Sequence, residues 1–246
     1  MTQQQTAQIT FMRHGEKNDG GALTVTGFEQ ARRAGIATSH LSDSDVLLFH
    51  SGVSRVKDTV RTMAANLHLS SEAESAYTLG EHIVDYVAPN LHYLVDPDQK
   101  GEYFAHWDDI ELTDENIYRR MVSFLSMDDP DAGYGYNAKQ MAQNIAQMIG
   151  IQVRFANMTD IQHKVQCVNG THEPVIVAFL YYFLNDFSPH DPARFLNDLG
   201  GSIDYTESFH VNVWHRSRHE FAVELVFRNK RYPVDLERLR AFAYMR

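Results

Sequence analysis

The sequence predicts a layered α/β fold, an α/β/α sandwich around a mainly parallel central sheet, on three observations. Strand, loop, helix, strand, loop and helix follow one another between Gln8 and Leu67, the order of β-α-β-α units. Val46, Leu47, Leu48 and Phe49 stand in a row, as in a strand covered on both faces. Near the other end, Phe209, Val211 and Val213 alternate with His210 and Asn212, the period of two that marks a half-buried strand.

Each element carries its own signal. The polar start reads as a short frayed tail. Gln8 to Met12 is a short buried strand, followed by an irregular loop from Arg13 to Ala22. Thr26-Gly27-Phe28-Glu29 has the Thr-x-x-Glu spacing of a capping box and predicts a helix to about Thr38. Asp45 to His50 is the second strand, broken by Ser51-Gly52 before a helix from Ser54 to about Leu67. From Glu81 to Tyr136 the composition changes: Pro89, Pro97 and Pro130, clustered Asp, and the scattered aromatics Tyr86, Tyr93, Tyr103, Phe104 and Trp107 mark an insertion at about 81–136 that caps a single domain, 1–246. Those aromatics could line a substrate mouth or pack the insertion on the main body. Met141, Ile145, Met148 and Ile149 share one helical face. Lys164 to Val168 predicts a further strand, and Glu173 to Leu184 a strongly apolar helix with Pro174 in the first turn, where proline is tolerated. Val223, Leu225 and Phe227 repeat the two-residue period more loosely, Asn229-Lys230 separates that run from Tyr232, and Asp235 to Ala243 forms a terminal helix.

Composition narrows the function. Of 246 residues, 22 are Lys or Arg and 32 Asp or Glu, a net charge of −10 with His neutral, which works against binding a nucleic-acid backbone over a broad surface. An anion must therefore be held in a small, locally positive pocket. The single cysteine, Cys167, can form neither an internal disulfide nor a Cys-rich zinc site. No window approaches the roughly 18 uninterrupted apolar residues of a membrane span, and Met1 to Gln8 lack the basic start and apolar run of a secretion signal, so a soluble, cytoplasmic chain is expected.

Arg13-His14-Gly15-Glu16 falls where the first strand ends, at the carboxyl edge where open α/β sheets hold ligands. The first three suit phosphoryl transfer: Arg offers a planar fork of donors, neutral His a lone pair, and Gly a close backbone approach. Alone, the three residues could equally be a surface Arg-His pair in a turn. Four further features fall at corresponding junctions: Leu23-Thr24-x-x-Gly27-x-x-Gln30-Ala31 opens the first helix, Ser51-x-x-x-Arg55-x-x-x-Thr59 follows the second strand, Thr171-His172-Glu173-Pro174 follows a later strand, and Gly201 to Val213 leads into a late one.

Together these motifs resemble the histidine phosphatase superfamily, with its phosphoglycerate-mutase-like fold, from about Gln8 to Leu236 apart from the insertion. The resemblance implies that His14 is a phosphorylated nucleophile and that Arg13, Arg55 and His172 complete a phosphate pocket beside Gly15, with no metal and no cofactor. Two nearby guanidiniums would disfavour protonation of His14 and leave a ring nitrogen free to attack. His172 is expected as the cationic donor to the phosphate, and backbone N–H groups of the helix starting near Glu173 would point at the same region. Two residues compete as the acid that protonates the leaving oxygen, with Glu81 favoured over Glu173. Glu81, in Leu79-Gly80-Glu81, resembles the acid segment of the phosphoglycerate-mutase-like branch; Glu173 follows His172 as the donor Asp follows the second His of the acid phosphatase branch. Glu16 is expected to bond loop backbone or a neighbouring cation, and Lys17 to be an exposed loop lysine.

The chain departs from the common pattern at Gly52-Val53, where a Pro-Leu pair is frequent, and at Glu173-Pro174, where small residues are frequent. Metal readings are weaker. His14-Gly15-Glu16 has the H-x-E of zinc deaminases without a P-C-x-x-C, and His215, His219 and Glu220 have only partial ligand spacing in an expected turn. The expected activity is hydrolysis of a small or medium phosphate ester through phosphohistidine. A phosphomutase and a non-catalytic phospho-ligand or protein-binding module of the same fold stay open.

Overall fold

Alternating side chains give each strand two faces to cover, and helices cover both. The computed structural model describes residues 4–38, 44–67, 83–92, 113–126, 137–158, 164–217 and 220–245. Its strands are β1 (Gln4–Arg13), β2 (Ser44–His50), β3 (Ile83–Val87), β4 (Lys164–Thr171), β5 (Ser208–Ser217), β6 (Glu220–Phe227) and β7 (Lys230–Pro233). They form one sheet in the order β3-β2-β4-β1-β5-β6-β7. The first four run parallel and the last three antiparallel. The helices among the described residues are α1 (Val25–Ala37), α2 (Ser54–Ala64), α3 (Asp114–Leu125), α4 (Ala138–Met158), α5 (Glu173–Leu184), α6 (Pro192–Leu199) and α7 (Leu236–Ala243).

Adjacent residues of β1 serve different layers. Phe11 stacks on Phe209 of β5 with ring centres 5.1 Å apart, and Phe179 of α5 stacks on Phe209 at 5.2 Å, within the larger core, which also takes in α4 and α7. Met12 joins Val46, Leu48 and Val168 beneath Val60 and Met63 of α2, in a separate core on the opposite face. Full burial of each such side chain contributes about 1.5–3 kcal/mol, so two independent cores hold the sandwich. Met141, Ile145, Met148 and Ile149 are all buried, as their shared helical face predicts.

Strand register prepares the site. Arg13 pairs with Thr171, His50 with Gly170, and His50 with Val87. The four parallel strands therefore end nearly level. The residues that follow them, His14, Ser51, Ala88 and His172, emerge along one edge of the sheet.

Three local expectations are corrected. The α1 cap is Thr24, not Thr26: the Thr24 hydroxyl accepts the Gly27 N–H at 3.0 Å, while Glu29 instead pairs with Arg32 and Arg33. Residues 83–87, inside the stretch read as an insertion, are the edge strand of the main sheet, tied to α2 by Asp85, which accepts from Arg61 at 2.6 and 2.9 Å. Tyr93, Tyr103, Phe104 and Trp107 lie outside the described residues. Helix α6 was not anticipated, although Asp191 caps it, Pro192 opens it and Gly200 closes it at φ 81°, all recognised boundary signals.

Candidate active site

The loop after β1 is fixed by its own backbone. The His14 N–H donates to Thr171 O at 3.1 Å, the Gly15 N–H to Thr59 Oγ1 at 3.0 Å, and the Glu16 N–H to Gln30 Oε1 at 2.9 Å. Gly15 and Gly27 meet backbone to backbone: a Cβ on Gly15 would lie 2.5 Å from Gly27 O, and one on Gly27 2.3 Å from Glu16 O. The close approach that Gly15 permits is thus with α1. Among the described residues the Glu16 carboxylate accepts from the Thr24 hydroxyl at 2.7 Å and steadies the α1 cap. Lys17 is exposed.

His14 is 5% exposed, and its Nδ1 lies 2.7 Å from Gly15 O. A carbonyl can only accept, so Nδ1 carries the proton and Nε2 the lone pair. The Arg55 Nε–H donates to that Nε2 at 3.2 Å. Burial first, and then the charges of Arg55, Arg13 and Lys17, hold the His14 pKa down at about 3 against the Gly15 hydrogen bond, which acts in the other direction. A neutral imidazole with one defined lone pair is the form that attacks phosphorus.

His172, 2% exposed, stands at the N-cap of α5, with its ring centre 5.3 Å from that of His14 and its Nε2 3.1 Å from Ser51 Oγ. Burial, followed by the charges of His14, His92, Arg55 and Arg13, pushes its pKa well below the usual value. Desolvation therefore works against the cationic His172 expected as a phosphate donor.

Arg13 is gripped from several sides. Its Nη1 lies 3.0 Å from Glu173 Oε2 and donates to Ile203 O, and its guanidinium lies 4.2 Å from the centre of the Tyr205 ring. The Arg13 Nε is buried and donates to no group among the described residues. Glu173 accepts a second hydrogen bond from the Ser202 hydroxyl. His14, Arg13, Arg55, His172 and Glu173 thus converge, and Glu81 lies outside the described residues.

Three contributors escaped sequence reasoning. Tyr205 lies over Arg13 and 6.0 Å from the His14 ring. Arg228 clasps the loop that carries Tyr205: it pairs with Glu207 through Nε at 2.6 Å and Nη2 at 2.9 Å, and donates to Ser202 O at 2.7 Å and to Leu199 O. His92, 4% exposed, sets its ring 4.8 Å from that of His172. Tyr205 falls inside the Gly201 to Val213 stretch without being singled out there, and neither His92 nor Arg228 belongs to a local motif. Charge 21 residues from its partner, as in Glu207 and Arg228, has no periodic signature.

Other candidates separate from this cluster. His215 is buried against the Phe221 ring at 5.7 Å, and His219 lies outside the described residues. Among the described residues no group of three or more His, Cys, Asp or Glu could hold a metal. Cys167 is fully buried, which pushes its thiol up to about 12. A cavity of about 480 Å³, whose lining includes Asp191, Arg194, Phe195, Arg228, Lys230 and Tyr232, takes in none of the converging residues. Among the described residues no helix is long and apolar enough to cross a membrane.

The chain matches no protein-family model and no curated protein sequence. Solved structures do match it. A mycobacterial hydrolase superposes with a TM-score of 0.55 at 15% identity, covering 92% of this chain and 99% of the other. Mycobacterial glucosyl-3-phosphoglycerate phosphatase with VO3 gives 0.54 at 14% identity, covering 90% and 98%. A second mycobacterial hydrolase gives 0.54 at 14%, covering 98% and 97%. The chain shares the α/β/α sandwich fold of these neighbours.

Proposed function

We propose that this protein is a phosphomonoester hydrolase that works through phosphohistidine at His14. The observation that carries the reading is the His14 tautomer, with Nδ1 committed to Gly15 O and a lone pair on Nε2 facing Arg55. The phosphatase named among the fold neighbours supports the same reaction class.

In the first step Glu173 enters protonated, having taken a proton from solvent as the anionic substrate displaces it from Arg13; His14 Nε2 attacks phosphorus in line, the P–O bond to the leaving group breaks, and that oxygen takes the Glu173 proton. Arg55 turns its donor from Nε2 to a phosphoryl oxygen as the substrate binds, which frees the lone pair for that attack. Arg13, with its buried Nε, and His172 bind the remaining equatorial oxygens, whose charge fixed donors stabilise better than mobile water does. In the second step Glu173 takes a proton from water, the water oxygen attacks phosphorus, the P–N bond breaks, and phosphate leaves. Glu173 is the acid we assign because, among the described residues, it is the carboxylate in contact with Arg13, and the stretch Ala88 to His92 after β3 holds none. The substrate is a small or medium phosphate ester. The steps use no metal, so activity is expected to persist in a chelator.

The test is to mix the protein with a ³²P-labelled aryl phosphate, quench in alkali and look for base-stable, acid-labile label on the protein. Label is expected in the wild type and none in His14→Asn. An unlabelled wild type, or turnover by His14→Asn, overturns the proposal. Release of inorganic phosphate from a monophosphate, independent of a bisphosphate primer, separates a hydrolase from a mutase.

A further inference from the structure

The reaction just described gives no task to the buried imidazole of His92, which lies against His172. We propose that His92 is a positioning residue, which holds the plane of the His172 ring and through it the phosphate-binding geometry; this rests on the phosphatase reading above.

Histidine χ2 is a broad torsion, so the ring of His172 needs restraint from its neighbours. Ser51 Oγ restrains one atom, Nε2, at 3.1 Å. Packing restrains the plane. The His14 ring meets it at 71° and 5.3 Å, and the His92 ring at 81° and 4.8 Å, edge-to-face contacts of the favoured kind. His14 must change its own bonding during the reaction, which leaves His92 as the fixed wall.

His92 is fixed by the backbone around it. It follows the 3-10 turn Pro89–Leu91, and its N–H donates to Pro89 O at 2.9 Å. The Ala88 N–H donates to His50 O at 2.8 Å, which fastens the turn to β2. The Thr171 hydroxyl donates to Leu91 O at 2.5 Å. That last bond joins the residue before His92 to the residue before His172, so the two rings are mounted on one support. The register of β3 on β2 and of β2 on β4 brings the two mounts level.

The experiment compares His92→Ala and His92→Phe with the wild type, reading steady-state kinetics and the imidazole ¹⁵N resonances of His172, assigned with His172→Asn. In His92→Ala the His172 resonances should shift or broaden and kcat should fall about 10- to 100-fold, the cost of a misplaced group, with KM little changed because the oxygens it serves carry most charge in the transition state. Phe restores the perpendicular wall, so His92→Phe should recover kcat to within about threefold of the wild type. Unmoved His172 resonances in a folded His92→Ala protein overturn the proposal. So does an equal loss of kcat in both variants. A wild type that traps no phosphohistidine defeats the phosphatase reading instead, and the resonances still decide whether His92 orients His172.

Discussion

The hydroxyl of Thr59 accepts the amide proton of Gly15 at 3.0 Å and donates its own to Arg55 O at 2.7 Å. One side chain thus clamps the loop that carries His14 to the helix that carries Arg55. Thr59 is fully buried, so Thr59→Val keeps the shape but strands the Gly15 N–H, at a cost of about 1–3 kcal/mol. For a chain of this length that lowers Tm by roughly 2–12 °C. Because the clamp sets the His14 to Arg55 distance, kcat should fall as well, and calorimetry beside kinetics on one preparation reads both. A variant with unchanged Tm and kcat would show that the clamp carries no strain.

Arg228 serves the site from outside it, through the segment that holds Ser202 and Tyr205. Arg228→Met keeps the length and apolar stem but removes every donor. The expected result is a fall in kcat/KM of about 10-fold or more, with faster proteolytic cutting between residues 199 and 207. Wild-type kinetics with unchanged cutting would relieve Arg228 of this role.

Glu173 carries the proposed proton. Glu173→Gln keeps the acceptor for Ser202 and loses both the charge opposite Arg13 and the acid. Hydrolysis of an alkyl phosphate, whose leaving group needs a proton, should drop about 10²- to 10⁴-fold. An aryl phosphate with an acidic phenol should lose far less. Equal losses on both substrates would remove Glu173 as the acid.

Stability should depend on pH through the buried histidines. His14 is held at about 3 in the fold, His172 also lies well below its usual value, and both return to near 6.5 on unfolding. Between those values the unfolded chain binds more protons, so the contribution is complete above about 6.5 and is lost as pH falls. Each histidine steepens the loss by about 1.4 kcal/mol per pH unit in that window. Chemical denaturation from pH 7 to 5 should therefore give a shallower slope in His14→Asn than in the wild type, and parallel slopes would contradict the buried neutral state. Bound inorganic phosphate should flatten the wild-type slope, because an anion favours protonated His172.

Much of the site was legible because its chemistry sits in short local patterns. Arg13-His14-Gly15, Arg55 in its spaced motif and His172-Glu173 all lie just past strands that apolar runs mark clearly, and the register brings them together. The α1 cap was misread because Thr24 and Thr26 both precede a helical pattern, and only the long-range bond from Thr24 to Glu16 distinguishes them. β3 was misread because its five residues carry exposed Tyr86 and Val87, which blurs the pattern of a buried strand.

By itself the sequence determined the order of the elements other than β3 and α6, the two faces of the strands it marked and the residue types able to handle a phosphoryl group, since all of these are short-range consequences of side-chain size, polarity and spacing. Tertiary structure alone decided which of those groups meet, how His14 distributes its proton, that burial works against a charged His172, and that Tyr205, His92 and Arg228 join them. Those properties depend on desolvation and on contacts between residues tens to hundreds of positions apart, and neither exists until the chain has closed around them.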